Sequence, residues 1–148
     1  MNAAAVPVTL AILAGGLIAL QAPTNALLAR GAGSPVTAAF ISFLVGSAAL
    51  GVMALLLPSR QDAPGLGGLP WYVWIGGFYG AFFVAVAAYG APRIGIGVLL
   101  VAAIAGQLLM AVALDHFGAF GIPKQPISPV RIGGVALVLL GALLVRRG

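Results

Sequence analysis

Apolar residues run almost without interruption through five stretches of this chain, and polar residues are confined mainly to the short segments between them. Each stretch approaches the roughly 20 residues that an α-helix needs to cross a hydrocarbon core about 30 Å thick. Because that core offers no water to backbone N–H and C=O groups, a spanning segment forms a helix that satisfies them internally. The pattern therefore predicts an all-α integral membrane protein with five transmembrane helices, at residues 6–29, 36–57, 71–89, 94–114 and 130–145.

The segments between the predicted helices are rich in glycine and proline. Residues 30–35 join the first two helices and residues 90–93 join the third and fourth, so each of these pairs is predicted to form a tight antiparallel hairpin. The two longer loops, 58–70 and 115–129, lie on the opposite side of the membrane. None is long enough to form a separate domain, and we expect one transmembrane domain over residues 1–148. The start lacks a positive leader and a cleavage site, so we expect the first helix to be retained.

The composition is that of a chain surrounded by lipid. Hydrophobic residues make up 62% and charged residues 6% of the 148 positions, and the mean hydropathy is +1.18. A soluble domain carries about 25% charged residues. The net charge of +5 comes from lysine and arginine near the ends of the predicted helices, where their side chains reach lipid headgroups. We therefore expect the bilayer as surroundings and no nucleic-acid partner.

The positive charges are divided almost equally between the two sides of the membrane. Because five is odd, the termini lie on opposite sides. The N-terminal side, side A, carries Arg60, Lys124 and Arg131, whereas side B carries Arg30, Arg93, Arg146 and Arg147. Orientation follows an excess of Lys and Arg on the cytoplasmic side, and three against four gives almost no bias. The simplest interpretation is insertion in both orientations; the alternative is a fixed orientation with side B inside.

Five helices are too few to surround a sizeable water-filled pathway, so we expect a dimer. Two copies inserted oppositely would form an antiparallel homodimer of ten helices, an inverted repeat about a two-fold axis in the membrane plane. Exchange of conformation between the copies would then alternate access to a site near the midplane. Small residues four positions apart predict close helix packing, namely Ser42 and Gly46, Ser47 and Gly51, and Gly76 and Gly80.

Polar side chains in the first span are the leading candidates for a substrate site. Gln21, Thr24 and Asn25 share one helix face because they lie three and four residues apart. Pro23 lies among them, and its ring removes the hydrogen bond to the carbonyl of Ala19, so we expect a helix break or kink that exposes polar backbone. Polar groups in a membrane are costly unless they face protein or water. The alternative is that Gln21 and Asn25 bond to neighbouring helices as structural residues.

Two further candidates lie in the third and fourth spans. Gln107 is near the middle of the fourth span and is a second amide for the same cavity, with plain interhelical hydrogen bonding as the alternative. Tyr79 lies within the third span and offers a hydroxyl and an aromatic face. Both are predicted substrate contacts.

Asp115 and His116 stand at the membrane edge on side A. Asp115 follows Gln107 by eight residues and is expected on nearly the same helix face. The two side chains could relay a proton, since histidine changes charge near neutral pH. The favoured alternative is structural: they cap the turn after the fourth helix and pair with Lys124 or Arg131.

The missing residue types limit the chemistry. The sequence has no glutamate and no cysteine, and neither Asp62 nor Asp115 lies in mid-span. A buried carboxylate that exchanges a proton for a cationic substrate is therefore not expected. Because metal-ligand spacing, a phosphate-binding loop and a nucleophile–base pair are also missing from the sequence, we expect no enzyme, no cofactor and no metal site. Amide groups suit a neutral or zwitterionic solute, or an anion held by backbone donors, better than a bare cation.

Several segments together resemble one family. They are Gln21-Ala-Pro-Thr-Asn25-Ala-Leu; Ser34-Pro35 followed by Ser42-Phe-Leu-Val-Gly46; Pro70-Trp71 leading to Gly76-Gly77; and Gly106-Gln107 followed by Asp115-His116-Phe117-Gly118 and Arg131-Ile-Gly133-Gly134. In these segments the chain resembles the YdcZ-type proteins, five-span members of the drug/metabolite transporter superfamily. The resemblance covers essentially the whole chain.

The resemblance implies a multi-pass protein of the bacterial inner membrane, related to the small multidrug resistance proteins and to ten-span EamA-like permeases. It also implies that Gly134 and Gly141 pack across a dimer. The small multidrug resistance proteins use an acidic residue in the first helix, where this chain has Gln21 and Asn25, so proton antiport by their mechanism is not expected. Our leading hypothesis is a transporter of a small organic solute that works as an antiparallel dimer. The alternatives are a narrow dual-topology channel and a half-transporter or accessory subunit that needs another partner.

Overall fold

The structure, a computed structural model, describes residues 5–57 and 65–147 and is all-helical in this part of the chain. Its α-helices are α1 (Ala5–Ala32), α2 (Pro35–Leu56), α3 (Gly76–Ile94), α4 (Ile96–Phe117) and α5 (Pro129–Arg147). A 3₁₀ segment, Trp71–Ile75, leads into α3, and another, Ala119–Gly121, follows α4. All five helices are long and apolar enough to cross a membrane. The predicted all-α fold with five spans is confirmed, while Arg60 and Asp62 lie outside the described residues.

The chain divides into two compact units, Met1–Arg93 and Ile94–Gly148. In the first unit α1 packs against α2, and in the second α4 packs against α5. The first pair is joined at Gly33, whose φ of 74° suits glycine. Ser34 then caps α2, because its hydroxyl oxygen accepts from the backbone N–H of Val36 at 3.2 Å. Since two packed helices joined by so short a link run in opposite directions, the predicted hairpin of α1 and α2 is present.

The third helix ends later than the sequence predicts. A connection is expected at residues 90–93, but α3 continues through this segment and includes Pro92. A proline near the end of a helix removes only one backbone hydrogen bond. Gly90 and Ala91, which come just before Pro92, are buried. The break between α3 and α4 falls instead at Gly95, whose φ is 79°. Glycine adopts this left-handed conformation without a steric penalty.

Most of the buried hydrophobic residues of the helices are alanines. The buried alanines are Ala22 and Ala26 in α1, Ala38 and Ala39 in α2, Ala87, Ala88 and Ala91 in α3, and Ala105 in α4. Such residues let helix backbones approach closely. Among the predicted small pairs, Gly80 makes a close contact, since a Cβ there would lie 3.2 Å from the ring of Phe43. Gly46, Ser47 and Gly51 are exposed, so alanine faces carry most of the packing.

The outward surface of the described helices is apolar. Leu55 is 88% exposed and Val130 is 84% exposed, and many other large hydrophobic residues are similarly open. A surface of this kind is stable in contact with lipid, because lipid tails are as apolar as leucine. The burial of individual polar residues is therefore the feature that marks a site in this protein.

Candidate functional site

Asn25 is the buried polar residue of α1. It shares a face with Ala22 and Ala26 and is 4% exposed. Within the described residues, its Nδ2 is the one buried side-chain nitrogen or oxygen atom without a hydrogen-bond partner. An unpaired buried amide costs about 1–3 kcal/mol, and the hydrocarbon core supplies no water to lower that cost. Asn25 therefore holds two unused N–H donors inside the first unit.

The structure gives the other two polar residues of this stripe different surroundings. Gln21 is half-buried and lies one turn before Asn25, whereas Thr24 is exposed. The Thr24 hydroxyl bonds to backbone carbonyls of its own helix, 3.1 Å from that of Leu20 and 2.9 Å from that of Gln21. A threonine satisfied in this way needs no ligand. Gln21 and Asn25 thus remain the amides available to a solute.

An open groove of about 420 Å³ lies along α1 and is lined by Leu17, Ile18, Leu20, Gln21 and Thr24. Gln21 borders both this groove and the buried face that holds Asn25, because it lies between them around the helix. The groove could lead a small solute from the surface of α1 toward the buried amide. Helix α1 continues through Pro23 as one α-helix, so these residues share a single helix; the bend predicted at Pro23 stays a prediction.

Gln107 lies at the midpoint of the 22-residue helix α4 and is exposed. Leu108 and Val112 line a groove against α5, and Gln107 lies about 100° and 140° around α4 from them. It is not among the residues that line the grooves between α4 and α5. Tyr79 is 62% exposed. The predicted cavity roles of Gln107 and Tyr79 stay predictions, and the described residues of either unit alone do not enclose them.

Asp115 does not share the surroundings of Gln107, contrary to the expectation from their spacing. It lines the groove between α4 and α5, and its Oδ2 accepts from Nη2 of Arg131 at 3.0 Å. The side chains of Asp115 and Arg131 are 28% and 32% exposed. Eight residues rotate the helix by about 80°, which is enough to place Asp115 in that groove and Gln107 outside it.

The loop between α4 and α5 folds around this ion pair. Gln125 donates its backbone N–H to the carbonyl of Asp115 at 2.8 Å, and its Oε1 accepts from Nη2 of Arg131 at 2.6 Å. We call Asp115, Gln125 and Arg131 the α4–α5 clasp. Gln125 was not singled out in the sequence, because nothing in its local pattern shows that the loop returns to α4. Arg131 is the partner that the structural alternative named.

His116 takes part in the same loop. Its Nδ1 accepts from the backbone N–H of Ile127 at 3.4 Å, so this nitrogen carries no proton in that arrangement. The helix ends at Gly118, whose φ is 63° and whose N–H donates to the carbonyl of Asp115 at 3.3 Å. A Cβ at Gly118 would also lie 3.3 Å from the carbonyl oxygen of Ile122. The observed contacts are structural, and proton relay by Asp115 and His116 stays a prediction.

Gly134 and Gly141 lie along one side of α5. A Cβ at either position would meet no atom within 4 Å, so the backbone there is open to another helix. The predicted contact across a dimer is not tested by a single chain. No cluster of three or more His, Asp or Glu residues that could hold a metal occurs within residues 5–57 and 65–147.

These features define a multi-pass integral membrane protein that has a buried, unpaired amide in its first helix and a hydrogen-bonded clasp between α4 and α5. Residues 6–144 match the family described as "Putative inner membrane exporter, YdcZ". The match covers nearly the whole sequence, and the chain belongs to this family. With its five spans, it is a multi-pass protein of the bacterial inner membrane.

The chain is similar to the inner membrane protein YdcZ of Escherichia coli (strain K12), with 32% identity over 92 residues. The match covers 60% of this chain and 61% of that protein, so it spans about three fifths of the length of the relative. No solved structure matches the chain.

Proposed function

We propose that this protein transports a small organic solute across the inner membrane, by alternating access in an antiparallel homodimer. The observation that carries the proposal is Asn25, a buried amide whose Nδ2 has no hydrogen-bond partner. A residue that only joined helices would use its donors for that purpose. Unused donors on a buried helix face are instead suited to a solute that arrives and leaves. Membership of a family described as an exporter supports the same reading.

The dimer is proposed because a single chain leaves polar residues at mid-membrane depth exposed. Gln107 lies at the midpoint of α4 and is exposed. A primary amide facing hydrocarbon costs several kcal/mol, on the order of 2–7. A second copy in the opposite orientation would bring another Gln107 to the same depth, and each amide has both donors and an acceptor for the other or for a solute.

Helix α5 supplies the proposed contact between the copies. Gly134 and Gly141 lie on the same side as three exposed residues spaced seven apart, namely Val130, Leu137 and Leu144, which are 84%, 71% and 70% exposed. Alternating large and small residues at a mean spacing of 3.5 fit the seam of a helix pair, in which large side chains enter the spaces left by small ones. The almost equal division of Lys and Arg between the two membrane sides allows the opposite orientations that this dimer needs.

The test uses purified protein in proteoliposomes and a solute found by screening for ligands that raise its melting temperature. We expect Asn25→Ala to weaken solute binding by about tenfold or more, since it removes a buried hydrogen bond. Gln21→Ala should weaken binding less, because Gln21 is only half-buried. The matched control is Thr24→Val, whose lost hydroxyl bonds only to its own helix, and it should leave binding unchanged.

Three results would count against the proposal. Loss of the dimer in Asn25→Ala, measured by size-exclusion chromatography with light scattering, would show that Asn25 is structural. Flux that rises linearly with solute concentration, without saturation, would indicate a channel. Absence of flux through the purified single gene product, with a second gene product required for activity, would indicate a half-transporter.

A further inference from the structure

The donors of Asn25 determine which kind of solute can fill its site. Nδ2 of an asparagine carries two N–H groups and no lone pair that accepts a hydrogen bond. Only an acceptor atom relieves the cost of burying it. The buried amide therefore selects by hydrogen-bond polarity as well as by shape.

The described residues of the first unit offer few acceptors that could bond to Asn25 Nδ2. They include no carboxylate, since Asp115 belongs to the second unit and Asp62 lies outside the described residues. The Thr24 hydroxyl donates to the carbonyls of Leu20 and Gln21, and Thr24 is exposed whereas Asn25 is buried. Pro23 frees the carbonyl of Ala19, but Ala19 lies six residues, or about 9 Å along the helix axis, from Asn25. None of their acceptor atoms makes a hydrogen bond with Nδ2.

We propose, on the basis of the transport function proposed above, that the solute presents an oxygen acceptor to Asn25 Nδ2 and carries no net positive charge. Carboxylate, amide and carbonyl compounds satisfy this condition. An alkylammonium ion does not, because its charged group has donors only and cannot accept a hydrogen bond from Nδ2. Gln21, one turn away and half-buried, can donate to a second oxygen of the same solute because side chains four apart lie about 5–6 Å from each other.

The sequence allows a direct test, because it contains two asparagines, Asn2 and Asn25. Labelling asparagine side chains with ¹⁵N gives two NH₂ signals in an NMR spectrum of the full-length protein in nanodiscs, and Asn25→Ala assigns them. The probes are butanoate, butanamide and butylammonium, which have similar chains and differ in polarity. We expect butanoate and butanamide to move the Asn25 NH₂ proton signals downfield in a saturable manner, with the Asn2 signal unchanged, and butylammonium to have no effect.

A second variant separates donor polarity from shape. Asn25→Asp keeps the size of the side chain and, when the carboxyl group is ionised, replaces the donors by acceptors. We expect it to bind butanoate about tenfold or more weakly than the native protein and to gain affinity for butylammonium. Its dimer, measured by light scattering, should be retained.

Movement of the Asn25 signal by butylammonium, or by none of the three probes, would overturn the inference. So would equal binding of butanoate by the native protein and Asn25→Asp. Failure of the transport proposal has a different signature. If proteoliposomes export alkylammonium ions in a saturable manner, transport stands and the acceptor assignment is wrong. If butanoate and butanamide bind at Asn25 but no solute crosses the membrane, the binding assignment stands and the transport proposal is wrong.

Discussion

Asn25 and Asp115 are polar residues on transmembrane helices, and the fold gives them opposite surroundings. Asn25 is buried among alanines with its Nδ2 unpaired. Asp115 is partly open at the end of α4, and both its carboxylate and its backbone carbonyl accept hydrogen bonds. An unpaired donor is suited to binding, whereas a group with satisfied hydrogen bonds is suited to holding a loop in place. Asn25 is therefore the proposed solute contact, and Asp115 is part of the structural clasp.

We expect the α4–α5 clasp to stabilise the fold and to be dispensable for solute binding. Asp115→Asn and Arg131→Gln should each lower the free energy of unfolding by about 1 kcal/mol, because the pair is partly exposed and bridges the loop to both helices. The double variant should lose less than the sum, since each single change removes the same interaction. Thermal unfolding of the purified variants measures all three values.

Lys124→Gln is the control for the loss of one positive charge. Within the described residues the one salt bridge joins Arg131 to Asp115, so this change removes a charge without breaking a salt bridge. It should leave stability unchanged within about 0.5 kcal/mol. A different result for Asp115→Asn, namely unchanged stability together with abolished transport, would show that this carboxylate relays protons.

At the scale of the element, α5 has a side that its own chain leaves open. Val130, Leu137 and Leu144 alternate there with Gly134 and Gly141. Val135 and Val138 line the groove toward α4 together with Gly134, which therefore lies at the border between the open side and the side that packs on α4. One helix can therefore hold its unit together and still offer a seam to a second copy.

We expect Gly134→Leu and Gly141→Leu to weaken the dimer by about tenfold or more, because a large side chain would fill the space that the partner helix needs. Gly133→Leu is a graded comparison: its position is equally open, but it lies about 100° around the helix from Gly134 and about 80° from Gly141, so it should weaken the dimer less than the other two substitutions. Dimer dissociation in detergent, followed by light scattering over a dilution series, measures the effect. Equal weakening by all three substitutions would contradict a seam at Gly134 and Gly141.

Helix α4 allows the relative direction of the two copies to be determined. If both Gln107 side chains face one cavity at the midplane, an antiparallel dimer places residues seven positions before Gln107 opposite residues seven positions after it. We therefore expect a bismaleimide to link Leu100→Cys in one copy with Leu114→Cys in the other when both are expressed together, as seen on a denaturing gel. The native chain has no cysteine to interfere.

A parallel dimer would instead link Leu100→Cys with itself. Ala113→Cys serves as the control for nonspecific reaction, since Ala113 lines the groove against α5 and should not be linked to a second copy.

At the scale of the whole molecule, the near balance of positive charge predicts two orientations. Gly31→Cys and Pro126→Cys place a thiol on exposed positions of sides B and A without changing the charge. We expect a membrane-impermeant maleimide to label each position in about half of the molecules in intact cells. The reason is that side A carries three Lys and Arg residues and side B carries four, which gives almost no preference for one orientation.

Added charge should shift this balance in a known direction. Gly31→Lys should turn side B toward the cytoplasm and Pro126→Lys should turn side A toward it, as read by a cysteine on the opposite side. Complete labelling of one native position and none of the other would establish a fixed orientation, and the partner would then be a parallel copy or another protein.

The sequence by itself determined the five spans, because hydropathy over a window as long as the bilayer is thick depends on no other part of the chain. The sequence also identified the amides of Gln21 and Asn25, because a polar residue within an apolar span is recognised from its immediate neighbours. The sequence predicted a connection after α3 at residues 90–93, whereas in the structure this helix runs to Ile94. A proline disfavours the helical conformation of the residue before it, but α3 continues through Pro92, with Gly90 and Ala91 buried.

Only the tertiary structure decided which of these polar atoms has a partner. It showed that Thr24 is satisfied by its own helix, that Asn25 Nδ2 is not satisfied, and that Arg131 and Gln125 close around Asp115. Hydrogen bonds depend on atoms brought together from distant parts of the chain to within about 3 Å. Sequence spacing fixes the order and rotation of residues along one helix, but it cannot fix the position of a neighbouring helix or loop to that precision.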